Sequence, residues 1–333
     1  MASEAPEALI WIITGTCNLR CPYCYASRYM GETPLPPRVV AGVLREAGDA
    51  GTEYVQFTGG EPLLYRGLLE VLEAAVDAGM EATVFTNLTL MDERVAGRLA
   101  AVVSKIYTSL DGPRGVYEAV KGPGSWERFL RGVAAVRGAG VPLHVNIPLS
   151  RLNYRCAGEA VRLAMELGAD TVSVIPAMPA GRALETRSFI GRRELLEALR
   201  RVDEAASELG VTVAAWCMPW LKFMDYRAVR PSGNCRNWSV MDITPSGNVV
   251  YCDVLGTTVA NIVQDGVKGA WEKVRRHPLA RLTSKPPAAC SRCPHAAWCR
   301  GGCYARAAAA YGRVDAPDPL CPLAPGAGEA GEA

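Results

Sequence analysis

The sequence predicts an α/β protein on a parallel sheet, followed by a cysteine-rich C-terminal region. Three observations carry that expectation: short apolar runs alternate with amphipathic segments, glycines close most of those segments, and seven of the twelve cysteines fall after residue 234. Alternation of strand and helix at this period implies parallel strands joined by crossover helices.

The first run, Leu9-Ile10-Trp11-Ile12-Ile13, is apolar throughout and reads as a strand buried on both faces. Tyr54-Val55-Gln56-Phe57 is the second strand, and the third spans 82–87, ending in Asn87. The fourth covers 106–112, the fifth 142–147 and the sixth 171–176. Helices are expected over 36–50, 66–79, 92–102, 125–139 and 155–168, with alanine and leucine at helical spacing. Gly51, Gly79, Gly140 and Gly168 follow as C-terminal stops. A charged helix over 191–209 and a strand over 211–216 come next. Residues 241–251 read as a hairpin turning at Ser246-Gly247-Asn248. The stretch 324–333, made of Ala, Pro, Gly and Glu, is expected to be disordered.

Composition narrows the class. A chain of 333 residues is long enough for a barrel-sized domain and a smaller one. The net charge of +2 gives no footprint for nucleic acid or an anionic membrane. No apolar stretch approaches the ~18 residues of a spanning helix, and the first seven residues, from Met1 to Glu7, are no signal peptide. Twelve cysteines without an export signal argue for metal rather than disulfides. The expectation is a cytoplasmic enzyme with neither a nucleic-acid nor a membrane partner.

The sharpest motif is Cys17-Asn18-Leu19-Arg20-Cys21-Pro22-Tyr23-Cys24, directly after the first strand. Loops at the carboxyl ends of parallel strands are where α/β enzymes place their chemistry. Three thiolates at C-x-x-x-C-x-x-C spacing can hold three irons of a [4Fe–4S] cluster and leave the fourth open. A zinc loop or three unrelated buried cysteines is the other reading, but zinc sites usually pair two C-x-x-C knuckles.

With Tyr23 before its third cysteine, this loop resembles that of the radical SAM superfamily. The resemblance implies a partial (β/α)6 barrel whose open iron chelates S-adenosylmethionine. It also implies cofactor contacts at Tyr23, at Gly59, Gly60 and Glu61 in Thr58-Gly59-Gly60-Glu61-Pro62, at Asn87, and at Ser109 in Ser109-Leu110-Asp111-Gly112. Lys121 stands where relatives carry a cationic residue that neutralises the cofactor carboxylate, a solvated lysine being the alternative. Met178 is a weaker candidate for a backbone contact to adenine.

In the C-terminal third, Cys235 is followed by eleven residues, Gly247, four residues and Cys252. Cys290-x-x-Cys293, five residues, Cys299, three residues, Cys303 and finally Cys321 complete the series. This spacing resembles the SPASM extension of radical SAM enzymes, against the bare alternative of two zinc knuckles. By the resemblance, Cys235, Cys252 and Cys303 hold auxiliary cluster I, while Cys290, Cys293, Cys299 and Cys321 hold auxiliary cluster II, making three [4Fe–4S] clusters in all. Cys217 is the candidate fourth ligand of cluster I; its apolar neighbours equally allow a plain core cysteine, which would leave an iron open. Cys156 reads as a bystander. The implied domains are 1–190 for the barrel, 191–234 for a bridge, 235–323 for the SPASM domain and 324–333 for the tail.

The resemblance implies reductive cleavage of S-adenosylmethionine to a radical that takes hydrogen from a peptide or protein side chain, leading to oxidation or cross-linking. Asp253, following Cys252, stands where sulfatase-maturing relatives carry a proton acceptor, an exposed or purely supporting carboxylate being the alternative. An electron donor such as flavodoxin or ferredoxin is implied as partner. Only sixteen residues precede Cys17, too few for the peptide-binding wing of many peptide-modifying relatives. Side-chain modification of a tetrapyrrole, a small-molecule substrate, is the second reading, with Trp216, Trp220, Phe223, Tyr226 and Trp238 as a flat apolar wall or as ordinary core. An iron–sulfur electron carrier is a third; it would need no open iron.

Overall fold

The computed structural model describes residues 5–235 and 239–324. Its first half runs β1 (Ala8–Thr14), α1 (Pro37–Asp49), β2 (Tyr54–Gly59), α2 (Leu68–Asp77), β3 (Glu81–Phe85), α3 (Glu93–Leu99) and β4 (Lys105–Ser109). It continues through α4 (Arg114–Lys121), α5 (Ser125–Gly138), β5 (Leu143–Leu149), α6 (Ala157–Glu166) and β6 (Thr171–Pro176). These six strands pair in chain order and all in parallel. The core lies between them and their helices: Leu9, Trp11, Val55 and Phe57 are fully buried against Val40, Leu44, Val71 and Leu72. Each such side chain contributes about 1.5–3 kcal/mol by leaving water.

The expected helices form where the apolar spacing places them, with two differences. α3 stops at Leu99 rather than 102. Cys156, expected within a helix, lies instead in a 3₁₀ turn and caps α6. Within this half one helix was not expected: α4 has only Tyr117, Val120 and Lys121 buried, so its inward face looked like loop.

After α7 (Arg182–Glu185) and α8 (Arg192–Leu209), the sheet extends through β7 (Val213–Ala215) and β8 (Val229–Pro231), both parallel. Its other edge is closed by the C-terminal region. β9 (Val240–Ile243) runs parallel to β1, and β10 (Asn248–Val250) folds back on β9 as the expected hairpin. β11 (Thr258–Asn261) completes eleven strands in the order β11-β10-β9-β1-β2-β3-β4-β5-β6-β7-β8. The hairpin turn needs Gly247, whose φ is +83°. α9 (Ile262–Arg276), α10 (Pro278–Thr283), α11 (Ala296–Cys299) and α12 (Tyr304–Tyr311) follow, with Cys299 ending α11, Cys303 capping α12 and Cys290, Cys293 and Cys321 in the turns and loops around them. Among the described residues no helix is long and apolar enough to cross a membrane. Trp238, residues 1–4 and residues 325–333 of the expected tail lie outside the described residues.

Candidate active site

The cysteine loop leaves β1 at Thr14 and is pinned from below by the turn after β2. Gly60 N donates to Thr14 O at 2.7 Å, and Glu61 N donates to Thr16 O at 2.8 Å. A Cβ on Gly60 would lie 2.2 Å from Thr16 O, and one on Gly59 (φ +143°) would lie 2.4 Å from Thr14 O. The two glycines therefore permit close approach of backbone to backbone beneath the loop. From above, α7 clamps the same loop: Arg182 N and Nη1 donate to Cys24 O and Cys21 O, both at 3.1 Å, and Thr186 Oγ1 donates to Pro22 O at 3.0 Å.

Cys17, Cys21 and Cys24 are half-buried free thiols. Burial raises the pKa of all three, and the charges of their sibling thiols add to that. Thiols that resist ionising alone, yet crowd together without a disulfide, suit a multivalent cation that takes them as thiolates.

Glu61 is fully buried. Its carboxylate accepts from Thr86 Oγ1 at 2.6 Å, Asn87 N at 2.8 Å and Leu63 N at 3.1 Å. It thus locks the end of β2 to the end of β3. Asn87 Nδ2 donates to Asn18 Oδ1 at 3.0 Å, and Asn18 Nδ2 to Thr89 Oγ1 at 2.8 Å, so the end of β3 also holds the cysteine loop. Lys121 is not solvated. It donates to Ser109 Oγ at 2.6 Å and pairs with Asp111 at 3.4 Å, both side chains being buried. Burial alone would drive Lys121 neutral, but the Asp111 carboxylate outweighs it and holds the ammonium well above its ordinary pKa. Tyr23 sits against the same pair.

Breaking a buried pair by removing one partner costs on the order of 3–5 kcal/mol. Lys121→Met, which strands Asp111, should therefore lower the unfolding free energy by about that much in anaerobic denaturant titration. A loss under about 0.5 kcal/mol, the surface-site level, would place the pair in water instead.

A second set of thiols converges near β9. Cys217 and Cys235 hydrogen-bond to one another, which raises the pKa of Cys217 and lowers that of Cys235. Cys303 lies within electrostatic reach of both and of Cys252. Cys217 adopts φ +59°, a left-handed conformation costly for a residue with a Cβ. That strain is held by a buried arginine, since Arg306 Nη2 donates to Cys217 O at 2.6 Å. Four thiols that act on one another's charge, one of them on strained backbone, could serve as donors to an iron–sulfur site.

The third set, Cys290, Cys293, Cys299 and Cys321, lines a cavity of about 390 Å³ together with Phe223 and His295. Burial pushes Cys299 and Cys321 up to about 11. Cys156 stays apart, its thiol donating to Asn153 O at 3.2 Å. Met178 is buried past β6 with its sulfur 3.4 Å from Arg306 Nη1 and its carbonyl bonded to Ala180 N.

Asp253 joins the first set to the second. Tyr25 OH donates to its Oδ2 at 2.6 Å, and Tyr29 OH donates to its carbonyl at 2.5 Å. Burial raises its pKa. Its backbone N–H donates to Asp242 Oδ2 at 3.0 Å, and burial next to Asp253 pushes Asp242 higher still. Sequence reasoning passed over Tyr25, Tyr29, Asp242, Arg182, Arg306 and Asp318. The two tyrosines adjoin the cysteine motif and could have been flagged; the others have no local signal. Of the five aromatics considered as one apolar wall, Trp220 and Phe223 line the cavity of the third cysteine set together. Trp216 stacks on His144, Trp220 donates to Asp318 in the core, and Phe223 stacks on His295.

Comparison with known proteins places this geometry. Residues 11–164 match the radical SAM superfamily. The chain is 28% identical to a PqqA peptide cyclase of Granulibacter bethesdensis, over 97% of this chain and 88% of that protein. It is 26% identical to an AdoMet-dependent heme synthase of Nitratidesulfovibrio vulgaris, over 97% and 94% of the two chains. Among solved structures, Streptococcus suis SuiB superposes with a TM-score of 0.76 at 18% identity, covering 96% of this chain and 78% of that one. The anSMEcpe structure with bound AdoMet and Cp18Cys peptide gives 0.73 at 17% identity, covering 95% and 94%. At those identities the structural matches speak for the fold.

Proposed function

The chain carries a radical SAM domain over residues 11–164 and is an enzyme; from that premise we propose that it oxidises or cross-links a peptide or protein side chain, using three [4Fe–4S] clusters and S-adenosylmethionine. A radical SAM domain implies one such cluster and the cofactor. The two further clusters, an electron donor of the flavodoxin or ferredoxin kind and a cytoplasmic location belong to the proposal. The observation that carries it is the Tyr25–Asp253 bond at 2.6 Å, which ties the first cysteine loop to the second cysteine set. An acceptor for the electron left on substrate then stands beside the place where the hydrogen atom is taken. The PqqA cyclase likeness over nearly the whole chain favours a peptide.

Cys17, Cys21 and Cys24 would hold the catalytic cluster, Cys217, Cys235, Cys252 and Cys303 the first auxiliary one, and Cys290, Cys293, Cys299 and Cys321 the second. When bound, cluster and cofactor supply a primary carbon radical able to take hydrogen from an unactivated C–H bond. The protein's part is placement. Glu61 and Asn87 fix the loop from below and Arg182 fixes it from above. Ser109 presents a hydroxyl at the end of β4 for a carboxylate, and Lys121, buried behind it and paired with Asp111, donates to that hydroxyl and fixes it. The Asp253 carboxylate, with one oxygen held by Tyr25, accepts the substrate proton at the other.

Anaerobic incubation of reconstituted enzyme with candidate peptides, S-adenosylmethionine and reductant, read by mass spectrometry, tests the proposal. Loss of hydrogens from peptide with matching 5′-deoxyadenosine supports it. Turnover of a porphyrin side chain and of no peptide would move the assignment to the heme-synthase-like reading, which the 26% likeness supports. A stable aerobic protein with two zincs and no sulfide would end the cluster assignment.

Cys217→Ala should remove the fourth thiolate from the first auxiliary set. Iron should fall below about twelve per chain, and the electron paramagnetic resonance signal of that cluster should change. Unchanged iron and spectrum would make Cys217 a core cysteine and leave an iron open to substrate.

A further inference from the structure

Between the two C-terminal cysteine sets lies a buried ion pair to which the mechanism assigns no role. Arg306 Nε donates to Asp318 Oδ1 at 3.0 Å and Nη2 to Oδ2 at 2.6 Å, with both side chains at most 2% exposed. Two further donors are used: Nη2 reaches Cys217 O and Nη1 reaches Met178 Sδ at 3.4 Å. The carboxylate is filled by Trp220 Nε1 at 3.2 Å, Cys303 N at 3.1 Å and Leu320 N at 3.1 Å.

The pair has a direction. Arg306 lies on α12 one turn past Cys303 and grips the carbonyl of Cys217, so the cation faces the first auxiliary set. Asp318 lies in the loop of the second set, its carbonyl accepting Cys321 N at 3.0 Å and its N–H donating to Gly301 O; its carboxylate also accepts Cys303 N, so the first set feels both charges, whereas Cys299 and Cys321 feel the anion. Gly302 (φ +75°) lets it in; a Cβ there would be 2.5 Å from Asp318 Cβ. Charges this far from water are weakly screened by solvent or salt.

We propose that Arg306 and Asp318 form a fixed dipole that raises the reduction potential of auxiliary cluster I relative to auxiliary cluster II. This rests on the cluster assignment above. Adding an electron to an anionic cluster is favoured by a nearby cation and opposed by a nearby anion. An electron leaving the substrate would then settle on cluster I, beside Asp253, rather than on cluster II. Arg306 and Asp318 are positioning residues acting through the clusters, not catalytic ones.

The test is a redox titration of the fully reconstituted enzyme by electron paramagnetic resonance, with iron and sulfide counted on each sample. Asp318→Asn should raise both auxiliary potentials, cluster II by more. Arg306→Gln should lower cluster I by more than cluster II. Opposite signs from the two halves of one pair are the signature, because loosened packing would not invert with the residue removed. Should Arg306→Gln fail to load iron, Asp318→Asn alone decides, since asparagine keeps the shape. Wild-type potentials in an iron-replete Asp318→Asn enzyme would overturn the dipole and leave the cluster assignment standing. Wild-type protein without auxiliary iron would overturn both.

Discussion

Replacing Cys17, Cys21 and Cys24 together with alanine should abolish formation of 5′-deoxyadenosine while leaving about eight irons in the C-terminal region. The expectation follows from separation of the ligand sets. The first three thiols stand on one loop pinned by Gly60, Glu61 and Arg182, whereas the other eight hang from β7, the β9–β10 hairpin and the segments around α11 and α12. Alanine removes the thiolates without disturbing the clamps, which bond to backbone: Arg182 to Cys21 O and Cys24 O, Gly60 to Thr14 O, and Glu61 to Thr16 O. The loop should keep its shape. Anaerobic assay of nucleoside release and iron on one sample checks both halves. Release at the wild-type rate would show that cofactor cleavage runs from another metal centre. Loss of all iron would show that the three sets fold as one unit.

The sequence was most readable where chemistry is written in covalent spacing. The C-x-x-x-C-x-x-C loop and the seven-cysteine series are short-range patterns, and so are the six apolar runs with their glycine stops. What it hid was pairing through space. Tyr25 and Asp253 are 228 residues apart, Trp220 and Asp318 are 98 apart, and no local pattern connects them. β9 docks parallel to β1 because Val240–Ile243 finds an open edge there, a fact of topology that four residues cannot announce. Lys121 was ambiguous because α4 buries little, and a lysine beside glycines looks solvated until Asp111 is placed 3.4 Å away. The Gly-Gly pair was found for a partly different reason. Its glycines are required by the carbonyls of Thr14 and Thr16, and that contact exists only once β1 and β2 lie side by side.

Asp253→Asn should cut product formation by about 100- to 10,000-fold, the range for loss of a positioned general base, while 5′-deoxyadenosine continues to form. When an electron passes from the substrate radical toward the first auxiliary set, a proton must leave as well. Asp253 is the half-buried carboxylate adjoining Cys252 and reached by Tyr25 from the catalytic loop. Burial raises the affinity of both Asp253 and Asp242 for a proton, and of the two it is the Asp253 carboxylate that the catalytic loop reaches, through Tyr25. Asparagine keeps an oxygen to accept the Tyr25 hydroxyl, so the loop geometry survives and only the proton acceptor is lost. Tyr25→Phe separates the two roles: it removes the hydrogen bond but leaves the carboxylate, and should slow product formation by far less. Quantifying modified peptide against 5′-deoxyadenosine in each variant gives the coupling ratio directly. A ratio that stays at the wild-type value in Asp253→Asn would assign the carboxylate to structure. The proton would then have to leave through another group, and the sulfatase-maturase-like order of steps would lose its residue-level support.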